Sequence, residues 1–461
     1  MKKVVLSVGA LMLGVVAFAQ NNTGTSIQEG SNQMIKVRQV GEINNTDVNQ
    51  DGDGNYTSVL QTGLNGPSVS DPGGLGNDAQ VMQDGVTNKS YTTQDGDENN
   101  ASTDQLGTDN YSEIQQGVGY AVGNVADVIQ DGERNAAITR QFFDDNKALT
   151  TQIGNDNYAD INQNAAPNDA SAPGTGDRND AFIFQDGDMN QSFIRQNTVD
   201  NVLGGNVAVA QVEGNNNYSD QFQEGQENEA FVNQGNEAVL DALTVPSSWV
   251  SLASGNVTSP ILESNGAGST NAKAFQIQDG TGNRAEAHQF GSGTAGGDIS
   301  IQSQVGSENI SRVFQNNDGN VNGDGNYADV EQSGSDNTNF TMQWGRNNDA
   351  FHKQEGTANI SESFQRWNGN YLDVYQNGTA NQADVTQFGI DGSVVISQYG
   401  TGNLFAAEQN GFNPGGGSNN QVNVLQQNAG MTNVQDPTVL TRDIPSMRTQ
   451  QTLRSDMDLN N

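Results

Sequence analysis

The sequence predicts an all-β protein: a β-solenoid of eleven-residue strand–turn units, with two parallel strands per rung and loop insertions between some units. Three observations carry that prediction. From Asn44 onward, Asn followed six residues later by Gln recurs in register 24 times. Within each copy the residue types alternate with a period of two, the period of a strand. Gly usually stands two positions after the Gln and punctuates the units.

The unit reads N-x-(small)-x-(β-branched)-x-Q-x-G-x-x. From each Asn, positions +2, +4 and +6 share its face, so Asn326, Ala328, Val330 and Gln332 point one way and Tyr327, Asp329 and Glu331 the other. Charge then separates inside from outside. Charged residues are 16% of the chain, so about 8 of the 48 slots at +2 and +4 would be charged by chance, and none is. Charges stand at outward slots and turns instead, as at Asp349, Lys353, Glu362, Asp373 and Asp384. A helix is excluded by the period and by a Gly in nearly every unit. Seven residues make the strand. The x-G-x-x segment turns the chain, with Gly supplying a positive φ at Gly334, Gly345, Gly356, Gly378, Gly389 and Gly400.

Successive strands then lie on opposite walls, and units one rung apart stack about 4.8 Å apart. Each Asn and Gln lies over its counterpart. A primary amide carries both a donor and an acceptor, so stacked amides form an axial ladder. A buried unpaired amide costs about 1–3 kcal/mol, which pins the register. The expected ladder residues are Asn326, Gln332, Asn337, Gln343, Asn348, Gln354, Asn359, Gln365, Asn370, Gln376, Asn381, Gln387, Asn403 and Gln409.

In chain order, residues 1–19 read as a signal peptide. Lys2 and Lys3 precede an apolar run from Val4 to Val16, and Ala17-Phe18-Ala19 supplies a cleavage site before Gln20. Residues 20–27 are a short N-terminal segment, and 28–234 the first half of the solenoid. The segment 235–270 breaks the repeat; it contains VLDALTVPSSWVSLA and reads as an insertion or cap folded over the solenoid. The second half follows over 271–426, and 427–461 form a tail that is disordered or anchors one end. Pro/Gly/Ser/Asp-rich stretches at 64–76 and 164–178 are corner insertions, each returning the next Gln in phase.

The chain has 461 residues, no Cys and a formal charge of −36, more negative still without Lys2 and Lys3. That balance repels nucleic acid and anionic membranes and tolerates weak divalent cations. Without Cys, no disulfide staples an exported chain. No catalytic residues are expected, no metal site and no cofactor. There are two histidines, His288 in an outward +5 slot and His352 in an inward +4 slot, and both read as packing residues. Asn320 to Gly325 with Glu331 approximates the spacing of an EF-hand loop, but Asn stands first and no helices flank it. Rows of outward Thr, which would suggest an ice-binding face, are absent: Tyr, Phe, Asp, Glu, Lys and Asn are mixed there.

The stretch Gln376-Asn377-Gly378-Thr379-Ala380-Asn381-Gln382-Ala383-Asp384-Val385-Thr386-Gln387 matches Q-x-G-x-x-N-x-A-x-x-x-Q throughout. Gln50 to Asn55 matches too, with Thr57 in place of Ala. This pattern resembles the curlin repeat of the curli family, bacterial functional amyloid subunits, over most of Gln28 to Gln426. The resemblance implies a secreted subunit at the bacterial cell surface. Such a subunit passes an outer-membrane secretion pore, folds on a nucleator and polymerises with itself into fibres for biofilm matrix and adhesion. The alternative is a self-capped monomeric β-solenoid acting as a surface adhesin or ligand-binding protein. Uncapped ends favour the fibre, because open strand edges present unpaired backbone groups to the next molecule, and capped ends favour the adhesin.

Overall fold

A computed structural model describes residues 22–62, 76–165, 179–198, 205–235, 269–291, 297–316, 325–410 and 420–428. The signal-peptide segment 1–19, residues 236–268 of the central break and the tail beyond 428 lie outside them. Among the described residues all regular structure is β-strand. The strands build two facing parallel walls, one of 16 strands and one of 15, and consecutive strands alternate between the walls. The protein is a β-solenoid with two strands per rung.

Alternation dictates this architecture. In the strand Tyr56–Thr62 the burial pattern is intermediate, buried, intermediate throughout, and Thr57, Val59 and Gln61 point inward. The interior is narrow. Its hydrophobic clusters combine small and β-branched residues, as in Ala148, Ala159, Ile161, Ala181, Ile183 and Ile194. Fully buried Asn and Gln line the two margins of this apolar strip. Outside, aromatic rings zigzag up the second wall between +1 and +3 slots: Tyr158, Phe193, Tyr218 and Phe275 stack with centroids 5.5, 5.5 and 5.3 Å apart.

The corner differs from the expected one. Many strands run nine residues and carry the Gly inside the ladder, as Tyr327–Ser335 does. Gly334 pairs with Gly356, and Gly356 with Gly378. The Gly bends the strand at φ near +116 without leaving it, and the turn follows. There the residue before each Asn takes the left-handed region, as Asp336, Asn347, Ala358 and Ala380 do at φ 54–57. Gly is needed at the first of these positions for two reasons. Its φ is one that L-residues rarely adopt, and a Cβ on Gly356 would overlap the carbonyl oxygen of Gly378.

The first strand, Thr23–Ser31, begins inside the segment assigned above to a non-repeat N-terminus, because Asn22 and Gln28 already form a unit. The central break does not divide the solenoid. Strand Glu229–Gln234 pairs in parallel with Arg284–Phe290, and Tyr218–Gln226 with Lys273–Thr281. Ser269–Thr270 takes the register of the missing corner, opposite Gly214 and Asn215. Across the break Gln234 bonds Gln289, 55 residues on, where a regular rung gives 22. The difference, 33, is three units. The insertion leaves from one corner and the rungs on either side stay in phase.

Candidate functional site

The chemistry of this molecule lies in its axial amide columns and in the rungs that end them. On the second wall the Gln column is unbroken from Gln39 to Gln426, each Nε2 donating to the Oε1 of the next rung at 2.7–3.0 Å. Gln332, Gln354, Gln376 and Gln398 are successive members. On the first wall Gln343, Gln365, Gln387 and Gln409 continue in the same sense. Each Nε2 also donates to a backbone carbonyl on the opposite wall, as Gln354 does to Thr338 O at 2.9 Å. That bond ties the walls together.

The Asn columns run with opposite polarity. Asn348 donates both its backbone N–H and its Nδ2 back to Asn326 Oδ1, at 3.3 and 3.0 Å. Asn370 treats Asn348 in the same way. On the first wall Asn359 bonds Asn337, Asn381 bonds Asn359, and Asn403 bonds Asn381. The Asn amide also closes the corner, because Asn337 Nδ2 donates to Gly356 O at 3.0 Å and Asn359 Nδ2 to Gly378 O at 3.1 Å. Amide and glycine are therefore one device. The Gly exposes a carbonyl that the neighbouring Asn satisfies.

Gly334, Gly356, Gly378 and Gly400 stack in one column of the second wall. On the first wall Trp367 stands between Gly345 and Gly389 and takes a φ of 82 itself.

Several column members fail a strict Asn-to-Gln search. Val212 replaces a Gln opposite Gln185, and Gln234 Oε1 above it is buried without a donor among the described residues. Asp298 occupies an Asn slot. It is buried and accepts from Asn326 N and Nδ2 at 2.8 and 3.1 Å, and burial pushes its carboxyl up to about 7 against those two bonds. Gln221, Gln276 and Gln302 form an additional column at the +4 slot, with bonds of 2.9 Å. The signal that would have found all of these is the rung period itself, read from neighbouring units.

His352 is fully buried, with Nδ1 2.7 Å from Ser361 Oγ and Nε2 3.0 Å from Ser363 Oγ. His288 stands in an outward slot yet is buried, stacked 4.5 Å from Phe314. Beside it Glu286 meets Arg312 at 2.9 Å and Arg284 at 3.1 Å. Burial pushes the Glu286 carboxyl up, but His288, Arg312 and Arg284 outweigh it and hold the group below the usual range. Among the described residues no three His, Cys, Asp or Glu side chains converge as metal ligands. Residues 320–324 of the EF-hand-like stretch lie outside them, and Glu331 is engaged by Lys353 at 3.2 Å. The outer faces are acidic in columns. Asp51 lies opposite Asp84, and Asp104 is pushed up by burial and by Asp131 and Asp84.

Residues 368–400, three units of this geometry, match the family model described as Curlin associated repeat. The chain carries the curlin repeat. The same wall-to-wall geometry extends from the matched units in both directions. No curated protein matches the chain.

Among the described residues the columns stop at the two end rungs. Strand Thr23–Ser31 is exposed along its whole length, and at the other end Leu404 and Leu425 are 65% and 41% exposed. Ile35, Phe405, Ala407, Val422 and Val424 occupy inward slots of the end rungs yet are only partly buried. These rungs have core composition and surface exposure.

Proposed function

We propose that this chain is a structural subunit that is exported to the bacterial cell surface and polymerises there into curli-like fibres. The observation that carries this reading is the state of the ends: inward-facing apolar side chains, amides and strand edges lie open at both terminal rungs. A parallel edge presents a row of N–H and C=O groups to any strand that continues it. A second copy stacked in register supplies those groups together with the next member of each amide column, so the interactions that fold the solenoid also extend it. The curlin repeat at 368–400 supports the same reading. So does the formal charge of −36, which keeps chains apart until a template overcomes the repulsion. A nucleator subunit and an outer-membrane secretion pore are the partners this role requires.

The test is assembly from denaturant of purified chain beginning at Gln20, followed by thioflavin fluorescence, electron microscopy and seeding. Seedable fibres with a meridional spacing of about 4.7–4.8 Å support the proposal. A stable β-rich monomer that ignores seeds would turn the reading to a self-capped surface adhesin.

A further inference from the structure

The end rungs carry more than open edges. They are complementary to each other, and neither is complementary to itself. Every Gln column donates from Nε2 toward the C-terminal end, as from Gln387 to Gln409 at 3.2 Å and from Gln398 to Gln426 at 2.7 Å. The N-terminal rung therefore shows Oε1 acceptors at Gln28 and Gln39, and the C-terminal rung shows Nε2 donors at Gln409 and Gln426. The Asn columns run the other way, which leaves Asn403 Oδ1 facing outward and Asn22 at the opposite end with its donors. Two like ends would set donor against donor. Two unlike ends continue every column.

Shape agrees with polarity. The inward +2 slot holds small or aliphatic residues in nearly every described rung, with two exceptions that stand out by size. Phe405 is the single aromatic residue in that slot among the described residues, and Gly24 the single glycine. They occupy opposite terminal rungs of the same wall. Phe405 lies over Ala383 and packs only partly against the last apolar cluster. Gly24 has no backbone reason to be glycine. Its φ is not positive, and a Cβ there would find nothing nearer than Gln39 Oε1 and Thr46 O at 4.0 Å. Nothing within the described chain requires that notch.

We propose that chains join head to tail in continuous register, with the Phe405 ring of one copy seated in the notch that Gly24 leaves in the next. This rests on the fibre reading and specifies its contact. Asn403 then precedes Asn22 of the following copy, Ala407 meets Ser26, Gln409 donates to Gln28, and Gln426 donates to Gln39. On the second wall Val422 and Val424 cover Ile35 and Val37. The junction is heterologous and its rotation does not close, so it yields a polar filament rather than a ring or a two-fold dimer.

The experiment measures seeded elongation of the full chain and of three variants: Gly24→Leu, Phe405→Gly, and the two combined. Circular dichroism of each soluble chain checks that the solenoid forms, and neither substitution touches a buried bond. Filling the notch slows elongation on wild-type seeds by about tenfold or more, and removing the ring in the same chain restores most of the rate. A second readout uses the absence of Cys. Thr25→Cys with Ala406→Cys places outward thiols on adjacent strands across the junction, within disulfide reach, so oxidised filaments give a ladder of covalent oligomers and the free chain does not. If wild-type chain forms filaments but Gly24→Leu elongates at the wild-type rate and the thiols do not cross-link, the junction is wrong and the fibre reading survives. If wild-type chain forms no filaments at all, the fibre reading itself falls.

Discussion

Replacing Gly356 by Ala tests how the solenoid corner works. Gly356 has φ +112, and an added Cβ would overlap Gly378 O and stand 3.0 Å from Gly378 C. Holding an L-residue in such a conformation costs about 1–3 kcal/mol. Relieving the overlap means lifting the next rung away, which strains the bond from Asn359 Nδ2 to Gly378 O and adds about 1–2 kcal/mol. The total is about 2–5 kcal/mol. Gly402 is the matched control. It also has positive φ, +68, but nothing lies within 4 Å of its Cβ position. Ala380 already occupies the same column one rung earlier at φ 54, so Gly402→Ala costs no more than about 1–2 kcal/mol. A repeat fold opens locally, so the assay is amide hydrogen exchange read peptide by peptide. Gly356→Ala speeds exchange in strands Asp349–Thr357 and Tyr371–Thr379 by about thirtyfold to several thousandfold, and Gly402→Ala speeds its own strands by about thirtyfold at most. Equal effects at the two sites would refute the close-approach argument and leave only backbone entropy.

Three further outcomes follow from the columns. Gln376→Leu strips a donor and an acceptor from a buried column and destabilises its rungs by about 2–4 kcal/mol, read by the same exchange experiment. Val212→Gln supplies the missing donor below Gln234 and slows exchange in strand Glu229–Gln234, a gain of about 1 kcal/mol. Asp298 gives a pH dependence. Its folded pKa of about 7 lies above the unfolded value of about 3.9, so the native state binds the proton more tightly. Stability from this group is present at acid pH and is lost as pH rises from about 4 through 7, about 4 kcal/mol in all. Asp298→Asn therefore stabilises the chain at pH 8 and changes little at pH 4, as followed by thermal unfolding at both values.

Most of the fold was legible in the sequence because the rule that builds it is short. Asn326 to Gln332 shows the alternation, and the empty charge slots show which face is inside. The corner was less legible. Gly334 marks it in the sequence, but the left-handed residue at Asp336 is Asp, Asn, Ala, Glu, Thr, Arg, Met or Ile from unit to unit, since any side chain there projects into solvent. Polarity of the columns could not be read either, because an amide looks the same from both ends until its partners are placed. Val212, Asp298 and the Gln221 column escaped because one substitution hides a unit from a fixed motif while leaving its backbone in register. The burial of His288 and Glu286 in outward slots was hidden for a different reason: slot parity fixes which wall face a side chain leaves by, not what lies over that face.

The most direct test of the account is the mass per unit length of the filaments, measured by scanning transmission electron microscopy. Fifteen rungs, one for each strand of the second wall, at about 4.8 Å give each chain an axial length of about 72 Å. A chain of 48.9 kDa stacked end to end therefore contributes about 0.7 kDa per Å for each protofilament. A value near that figure or a small multiple of it is the predicted result. A value near 10 kDa per Å, one chain for every 4.8 Å step, would mean that chains lie flat in separate layers, and would contradict a fibre built from folded solenoids.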